Sequence, residues 1–295
     1  MDAGTQPVIG LLAGDPSGVG PELLTVALRH VPRGVIPRVI GDASPLSPGH
    51  PVREGSLRAM AALEEAARLA MAGEIAAVVT GPVSKKRLHG VGFPFPGQTE
   101  FFAARSGTEN HAMLLTGGPL TVALVTAHVP LREVPPLLTT DEIVRVGGLL
   151  AAFLHRRGIV SPRIAVAGLN PHAGEQGDLG DEEERIIAPA LPPLDASCPE
   201  AAFSGPHSPD TVFWRAAQGE FDGVLCMYHD QGLIPLKLLG FHDGVNVTLG
   251  LPFVRTSPDH GTAYELAGTG RARPDSFLAA FRLAAELVGR KATGA

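Results

Sequence analysis

The sequence predicts an α/β protein with mostly parallel sheets, and three observations carry that reading. Short apolar runs of strand length alternate with Ala/Leu-rich stretches of helical length along most of the chain, the pattern of parallel strands covered by helices. Thirty-six glycines and 27 prolines supply the tight turns that such alternation needs. With 295 residues, 44% of them hydrophobic and 18% charged, the chain can bury a core without disulfide or metal staples.

The elements follow in order. Val8–Ala13 reads as a buried strand stopped by Gly14-Asp15-Pro16. Pro21-Glu22 opens a helix to Arg29, with proline in the first turn and an acid near the positive end of the dipole. Val39-Ile40 starts a second strand, and Gly41–Gly55, rich in Pro, Ser and Gly, reads as a surface loop. Ser56–Met71 is the clearest helix, with Ser56 as its cap. Ala76–Thr80 is a strand feeding Gly81-Pro82-Val83-Ser84, and Thr121–Thr126 is another, ending just before Ala127-His128. Asp141–Arg157 is helical, Arg163–Ala167 a strand, Glu182–Ala190 a helix, and Ser208–Gln218 a helix capped by Ser208. Gly223–Met227 and Val245–Leu249 are strands, and Ser276–Val288 is the closing helix.

Charge narrows the partners. A net charge of −6 and a pI near 6.0 argue against nucleic acid, while Lys85-Lys86-Arg87 stays available to a small anion. No apolar run reaches the roughly 18 residues of a membrane span, and the N-terminus lacks a secretory pattern, so no membrane partner is expected. Cys198 and Cys226 form neither a disulfide framework nor a CxxC pair, which suits a cytoplasmic location.

In parallel α/β proteins ligands bind beyond the carboxyl ends of the strands. Three such ends here are followed within a few residues by a histidine: His128 after Thr121–Thr126, His172 after Arg163–Ala167, and His229 after Gly223–Met227. Three neutral imidazoles can hold a divalent metal with positions left for substrate. The spacing lacks HExxH, so position alone leaves metal and structural roles both open. GxGxxG, the P-loop and GxSxG are all absent, which disfavours nucleotide binding of the Rossmann kind. Late in the chain, Lys237, Asn246 and Arg255 sit among apolar, glycine-punctuated residues, as an anion pocket requires. The run Ser257–Ala263 offers small residues that let a ligand approach the backbone.

Four segments carry a resemblance: Gly14-Asp15-Pro16-Ser17-Gly18-Val19-Gly20-Pro21-Glu22, Gly168-Leu169-Asn170-Pro171-His172-Ala173-Gly174-Glu175, Met227-Tyr228-His229-Asp230-Gln231-Gly232, and Arg255-Thr256-Ser257-Pro258-Asp259-His260-Gly261-Thr262-Ala263. Together they closely resemble the 4-hydroxythreonine-4-phosphate dehydrogenase family of the vitamin B6 pathway, from first strand to last helix. The resemblance implies a two-lobed fold like that of isocitrate and isopropylmalate dehydrogenases, with a central cleft. The lobes fall at 1–105 plus 245–295 and at 106–244, in a single catalytic unit spanning 1–295. It implies oxidation of the secondary hydroxyl of 4-phosphohydroxy-L-threonine by NAD or NADP, then decarboxylation, on the way to pyridoxal 5'-phosphate. It further implies one divalent ion (Zn, Mg or Co) on His128, His172 and His229, and a homodimer sharing the site between subunits. Substrate contacts fall on Thr99, Lys237, Asn246 and Arg255, with Gln98 beside them, and the cofactor on Asp259, His260, Gly261 and Thr262. Lys237 is the expected proton relay, with Asp230 or Asp259 as the other candidate base.

Two departures matter. Gln98-Thr99 stands where the family commonly has histidine-threonine, and the segment from Asp42 to Ser56 is short. An amide donates hydrogen bonds but carries no proton charge. Either departure fits relatives acting on 4-phosphothreonate, 4-phosphoerythronate or a carboxylated dihydrodiol. The rivals outside that chemistry are a hydrolase using the histidines to activate water and a binding protein for metal or phosphate.

Overall fold

Strands only four to six residues long, several of them buried at every position, dictate a fold in which helices must cover both sheet faces. The computed structural model describes residues 6–289, so the chain ends included in the expected lobes lie outside the described residues. The chain divides into two units, Met1–Glu109 with Val245–Ala295, and Asn110–Gly244.

The first unit holds β1 (Val8–Leu12), β2 (Ile36–Val39), β3 (Ala77–Thr80), β9 (Val245–Leu249) and β10 (Val254–Pro258), in the order β2-β1-β3-β10-β9. Pairing is parallel except between β9 and β10, where Thr256 faces Val247 and Ser257 faces Asn246. Its helices are α1 (Gly20–Arg29), α2 (Arg53–Met71), α3 (Lys85–His89), α4 (Gln98–Ser106) and α10 (Asp275–Gly289). Gly20 has to be glycine: a Cβ there would overlap the Ala13 carbonyl, so α1 can start directly against the end of β1. The core packs alanines of α2 against Val78, Phe93, Phe101, Phe102 and Phe253. Phe101 sits at its centre, with ring centroids 5.0 Å from Phe102 and 5.4 Å from both Phe93 and Phe95.

The second unit holds β4 (Ala112–Gly117), β5 (Leu120–Leu124), β6 (Arg163–Ala167), β7 (Ala202–His207) and β8 (Gly223–Cys226), in the order β4-β5-β8-β6-β7. β4 and β5 form an antiparallel hairpin, and β5, β8, β6 and β7 run parallel. Its helices are α5 (Val134–Leu137), α6 (Thr140–Arg156), α7 (Leu191–Ser197), α8 (Pro209–Ala217) and α9 (His229–Gly240). Thr139 caps α6 by accepting a hydrogen bond from the Glu142 amide.

Several expectations are corrected. The second strand ends at Val39 instead of beginning there. The long helix starts at Arg53, which leaves Ser56 buried inside it and not at the cap. Ser208 stands at the amino end of α8, but its hydroxyl donates to Asp210 and caps no backbone amide. Glu182–Ala190 is a π-helical turn, Glu183–Ile187, followed by a 3-10 turn, because successive short turns absorb Pro189. The segments carrying Gln98 and His229 are helix starts and not loops.

Replacing Phe101 with alanine removes the centre of the aromatic cluster and is expected to cost about 3–5 kcal/mol of unfolding free energy. Equilibrium denaturation checks this; a loss below about 1 kcal/mol would mean that the cluster collapses into the gap.

Candidate active site

In the first unit, the chemistry centres on a buried cation. Arg255, on β10, is only 3% exposed. Its guanidinium donates from Nη2 to Thr80 Oγ1 (2.8 Å) and Gln98 Oε1 (3.1 Å), and from Nη1 to Thr248 Oγ1 (3.3 Å). Nε has no partner, and the group lies over the Phe102 ring, 5.9 Å from its centroid. Among the described residues every one of its hydrogen-bond partners is a neutral oxygen. Burial pushes its pKa down to about 10, against a partly opposing pull from Glu100.

The antiparallel register of β9 and β10 sets what lies beside it. Thr248 and Asn246 are two residues apart on β9 and so share a face with each other and with Arg255 opposite. Asn246 Oδ1 is buried with no donor. Thr99, in the first turn of α4, shares a hydrogen bond with Thr248 at 3.4 Å, and Gln98 Nε2 donates to the Gly81 carbonyl. A buried cation needing negative charge thus shares a sheet face with an acceptor needing a hydroxyl or amine. Such a set is complementary in charge and hydrogen bonding to an anionic hydroxy compound.

The cofactor candidates follow β10 in the same unit. The Asp259 amide donates to Ser276 Oγ (3.1 Å), and His260 Nδ1 bonds the Gly261 carbonyl. The Thr262 carbonyl accepts from the Val19 amide just before α1, whereas a Cβ on Gly261 would meet open space. That stretch has backbone a flat ligand can approach.

In the second unit, β5 and β8 deliver two of the three histidines to one cavity of about 380 Å³, lined by Thr126, His128, Leu131, Tyr228, His229 and Asp230 among others. The His128 and His229 ring centroids are 5.5 Å apart. Two imidazoles sharing one tetrahedral ion, with nitrogens at ~2.0–2.1 Å, place their centroids ~5 Å apart, so this pair fits a divalent metal. Asp230 Oδ1 lies 2.7 Å from His229 Nδ1. A carboxylate can only accept there, so the proton sits on Nδ1 and the Nε2 lone pair is left free for a ligand.

His172 does not complete the set within the chain: among the described residues no three His, Cys, Asp or Glu side chains are grouped to hold an ion. It stands in the turn Pro171–Gly177, where His172, Ala173, Gly174, Glu175 and Gln176 all have left-handed backbone angles. Such angles cost non-glycine residues roughly 1–2 kcal/mol each, so surrounding contacts must hold the turn in place. Lys237 is half-buried on α9, two turns beyond His229. Sequence reasoning missed Thr80 and Thr248, which hold Arg255, and Thr126, whose hydroxyl donates to the Met227 carbonyl at 2.7 Å. A buried threonine at a strand end is a weak signal until its partner is known.

The chain matches the family model described as pyridoxal phosphate biosynthetic protein PdxA over residues 25–284. It is 46% identical to the 4-hydroxythreonine-4-phosphate dehydrogenase of Desulfosudis oleivorans, with 95% of each chain covered. It is 39% identical to the D-threonate 4-phosphate dehydrogenase of Salmonella typhimurium, covering 95% of this chain and 98% of that one. The crystal structure of 4-hydroxythreonine-4-phosphate dehydrogenase from Klebsiella pneumoniae superposes with a TM-score of 0.81 at 38% identity, over 96% of this chain and 99% of that one.

If Arg255 awaits an anion, sulfate should raise the melting temperature of the wild-type protein more than that of Arg255→Met. Sulfate also stabilises proteins generally by exclusion from their surface, so the difference between the two is what reads the site. That difference should hold from pH 6 to pH 9 and decline above about pH 10, as the guanidinium, its pKa lowered by burial, begins to lose its proton. Equal shifts in both proteins at pH 7 would remove Arg255 from any anion site.

Proposed function

The chain belongs to the PdxA family of pyridoxal phosphate biosynthetic proteins, and on that premise we propose that it is a 4-hydroxythreonine-4-phosphate dehydrogenase. Its α/β fold is the isocitrate/isopropylmalate dehydrogenase-like fold of that family. The reaction is oxidation of the substrate's secondary hydroxyl followed by loss of carbon dioxide. One observation carries the reading beyond family membership: the buried Arg255, hydrogen-bonded to no carboxylate, beside the unpartnered Asn246 oxygen. Arg255 would hold an anionic group of the substrate and Asn246 would accept from its hydroxyl or amine. Gln98, bonded to Arg255, keeps the guanidinium aimed and stands in for the family's histidine with a neutral amide. The curated relatives from Desulfosudis oleivorans and Geobacter metallireducens, named for hydroxythreonine phosphate, are 46% and 42% identical, against 39% for the Salmonella typhimurium enzyme named for D-threonate phosphate, which supports the first substrate over the second.

Asp259, His260, Gly261 and Thr262 would hold NAD or NADP, which would supply the hydride acceptor. His128, His229 and His172 would hold a divalent cation (Zn, Mg or Co), which would supply Lewis-acid stabilisation of negative charge on the substrate oxygen. Asp230 orients His229 for that role. Lys237 is the proposed proton relay, its ammonium giving a proton at Nζ and its neutral amine taking one, with Asp230 or Asp259 as the other candidate base. No helix among the described residues is long and apolar enough to cross a membrane, in keeping with a proposed cytoplasmic location.

We also propose a homodimer with the site shared between subunits. Ile234, Leu238 and Phe241 are 66%, 82% and 71% exposed along one side of α9 and just beyond it. An apolar strip of this kind is what a second copy covers. Sedimentation should show a dimer in wild type and a shift toward monomer in Leu238→Glu; a wild-type monomer at assay concentration would end the proposal.

The activity is tested by following NADH or NADPH formation with 4-phosphohydroxythreonine and, separately, D-threonate 4-phosphate. We expect turnover of the first to exceed that of the second, loss on chelation, and at least a hundredfold loss in His172→Ala, a consequence of removing one of three ligands. Equal turnover in the chelated and metal-loaded enzyme would refute the metal assignment, and no turnover of either compound would refute the activity.

A further inference from the structure

We propose that Gln231 and Glu183 are positioning residues that clamp the segment Gly168–Asn170 from two sides, and so set where the His172 turn stands relative to the His128 and His229 pair. The proposal rests on the reading of the three histidines as metal ligands. It starts from two buried polar side chains that the reaction itself does not use.

Gln231 is 6% exposed, and both ends of its amide are committed. Oε1 accepts from the Met227 amide at 2.7 Å, and Nε2 donates to the Gly168 carbonyl at 2.6 Å. One side chain therefore ties the end of β8, which leads to His229, to the end of β6, which leads to His172. Thr126 adds the third connection: its amide and hydroxyl both donate to the Met227 carbonyl, at 3.1 Å and 2.7 Å. The strand ends that lead to His128, His229 and His172 thus converge on Met227 and Gln231.

Glu183 grips the same segment from the other side. It is 3% exposed and opens the π-helical turn. Its Oε1 accepts from the amides of Leu169 and Asn170, both at 2.7 Å, and its Oε2 accepts from Asn170 Nδ2 at 3.0 Å. A carboxylate with three N–H donors is satisfied without a cation. Gly168 leaves room for it, since a Cβ there would come within 3.1 Å of both Glu183 Oε1 and the Ala173 side chain. The left-handed turn that follows lacks intrinsic stability, so its anchor at 168–170 decides its position.

The test titrates Co²⁺ into metal-free protein, reading affinity from the ligand-field spectrum and folding from circular dichroism, alongside kcat and KM. Wild type should bind and His172→Ala should not. Gln231→Met, close in length but unable to donate or accept at those atoms, should stay folded and bind Co²⁺ 10- to 100-fold more weakly. Glu183→Gln keeps an oxygen for the two amides and should bind within a few-fold of wild type, whereas Glu183→Ala should weaken as Gln231→Met does. Should Gln231→Met fail to fold, Gln231→Glu serves instead, because it keeps the Met227 contact and loses only the donor to Gly168. Wild-type affinity in a folded Gln231 variant, with binding lost in His172→Ala, would overturn the clamp alone. Unchanged binding in His172→Ala, or none in wild type, would overturn the metal reading and the clamp with it.

Discussion

Everything at the histidine end depends on β5, β8 and β6 running in the same direction. Parallel pairing puts their carboxyl ends on one edge, and residues far apart in sequence meet there without any local motif. Slanted parallel hydrogen bonds fix register only within the strands. Beyond them the loops need their own ties, which is why buried Thr126, Gln231 and Glu183 are all spent on backbone groups past the strand ends. Without that shared direction, the three histidines would be unrelated surface side chains.

The first unit solves a different problem. A guanidinium held away from water with only neutral acceptors is unfavourable by itself, since removing the charge from solvent is not offset by an opposite charge. Natural chains retain such groups where a ligand supplies what is missing. The orphan Nε of Arg255 and orphan Oδ1 of Asn246 on one sheet face have opposite needs, and a hydroxy acid meets both. The neutral partners that leave the buried charge poorly compensated are also what would suit the position to an anion.

The alternating pattern made the α/β class readable, and the strands Arg163–Ala167 and Val245–Leu249 have the bounds their apolar runs predict. Elements with mixed signals were not readable. β7 contains Gly205-Pro206, which reads as a turn and is tolerated because β7 lies last in its sheet order. α9 contains Gly232 and Pro235, which hide a helix behind two breakers. Within the sites, the chemical residue types stood out while their supports did not. Arg255 was visible as a cation in apolar surroundings, but Thr80 and Gln98 come to it from 175 and 157 residues away. The Gln231 link to Gly168 spans 63 residues and has no periodic or motif signature. Long-range partners of this sort follow from topology, which composition and spacing do not encode.

One turn of α4 faces two ways: Gln98 and Thr99 look toward Arg255 and Thr248, while Phe101 and Phe102 are fully buried in the aromatic core. The residue that distinguishes this chain from its family's usual histidine is therefore bolted to the tightest-packed part of its unit. A substitution at position 98 leaves the backbone where it is, because the phenylalanines three and four residues on hold the helix in register. The dependence runs one way: a change at Phe101 or Phe102 would shift the Gln98 amide against Arg255, whereas a change at Gln98 leaves the core intact.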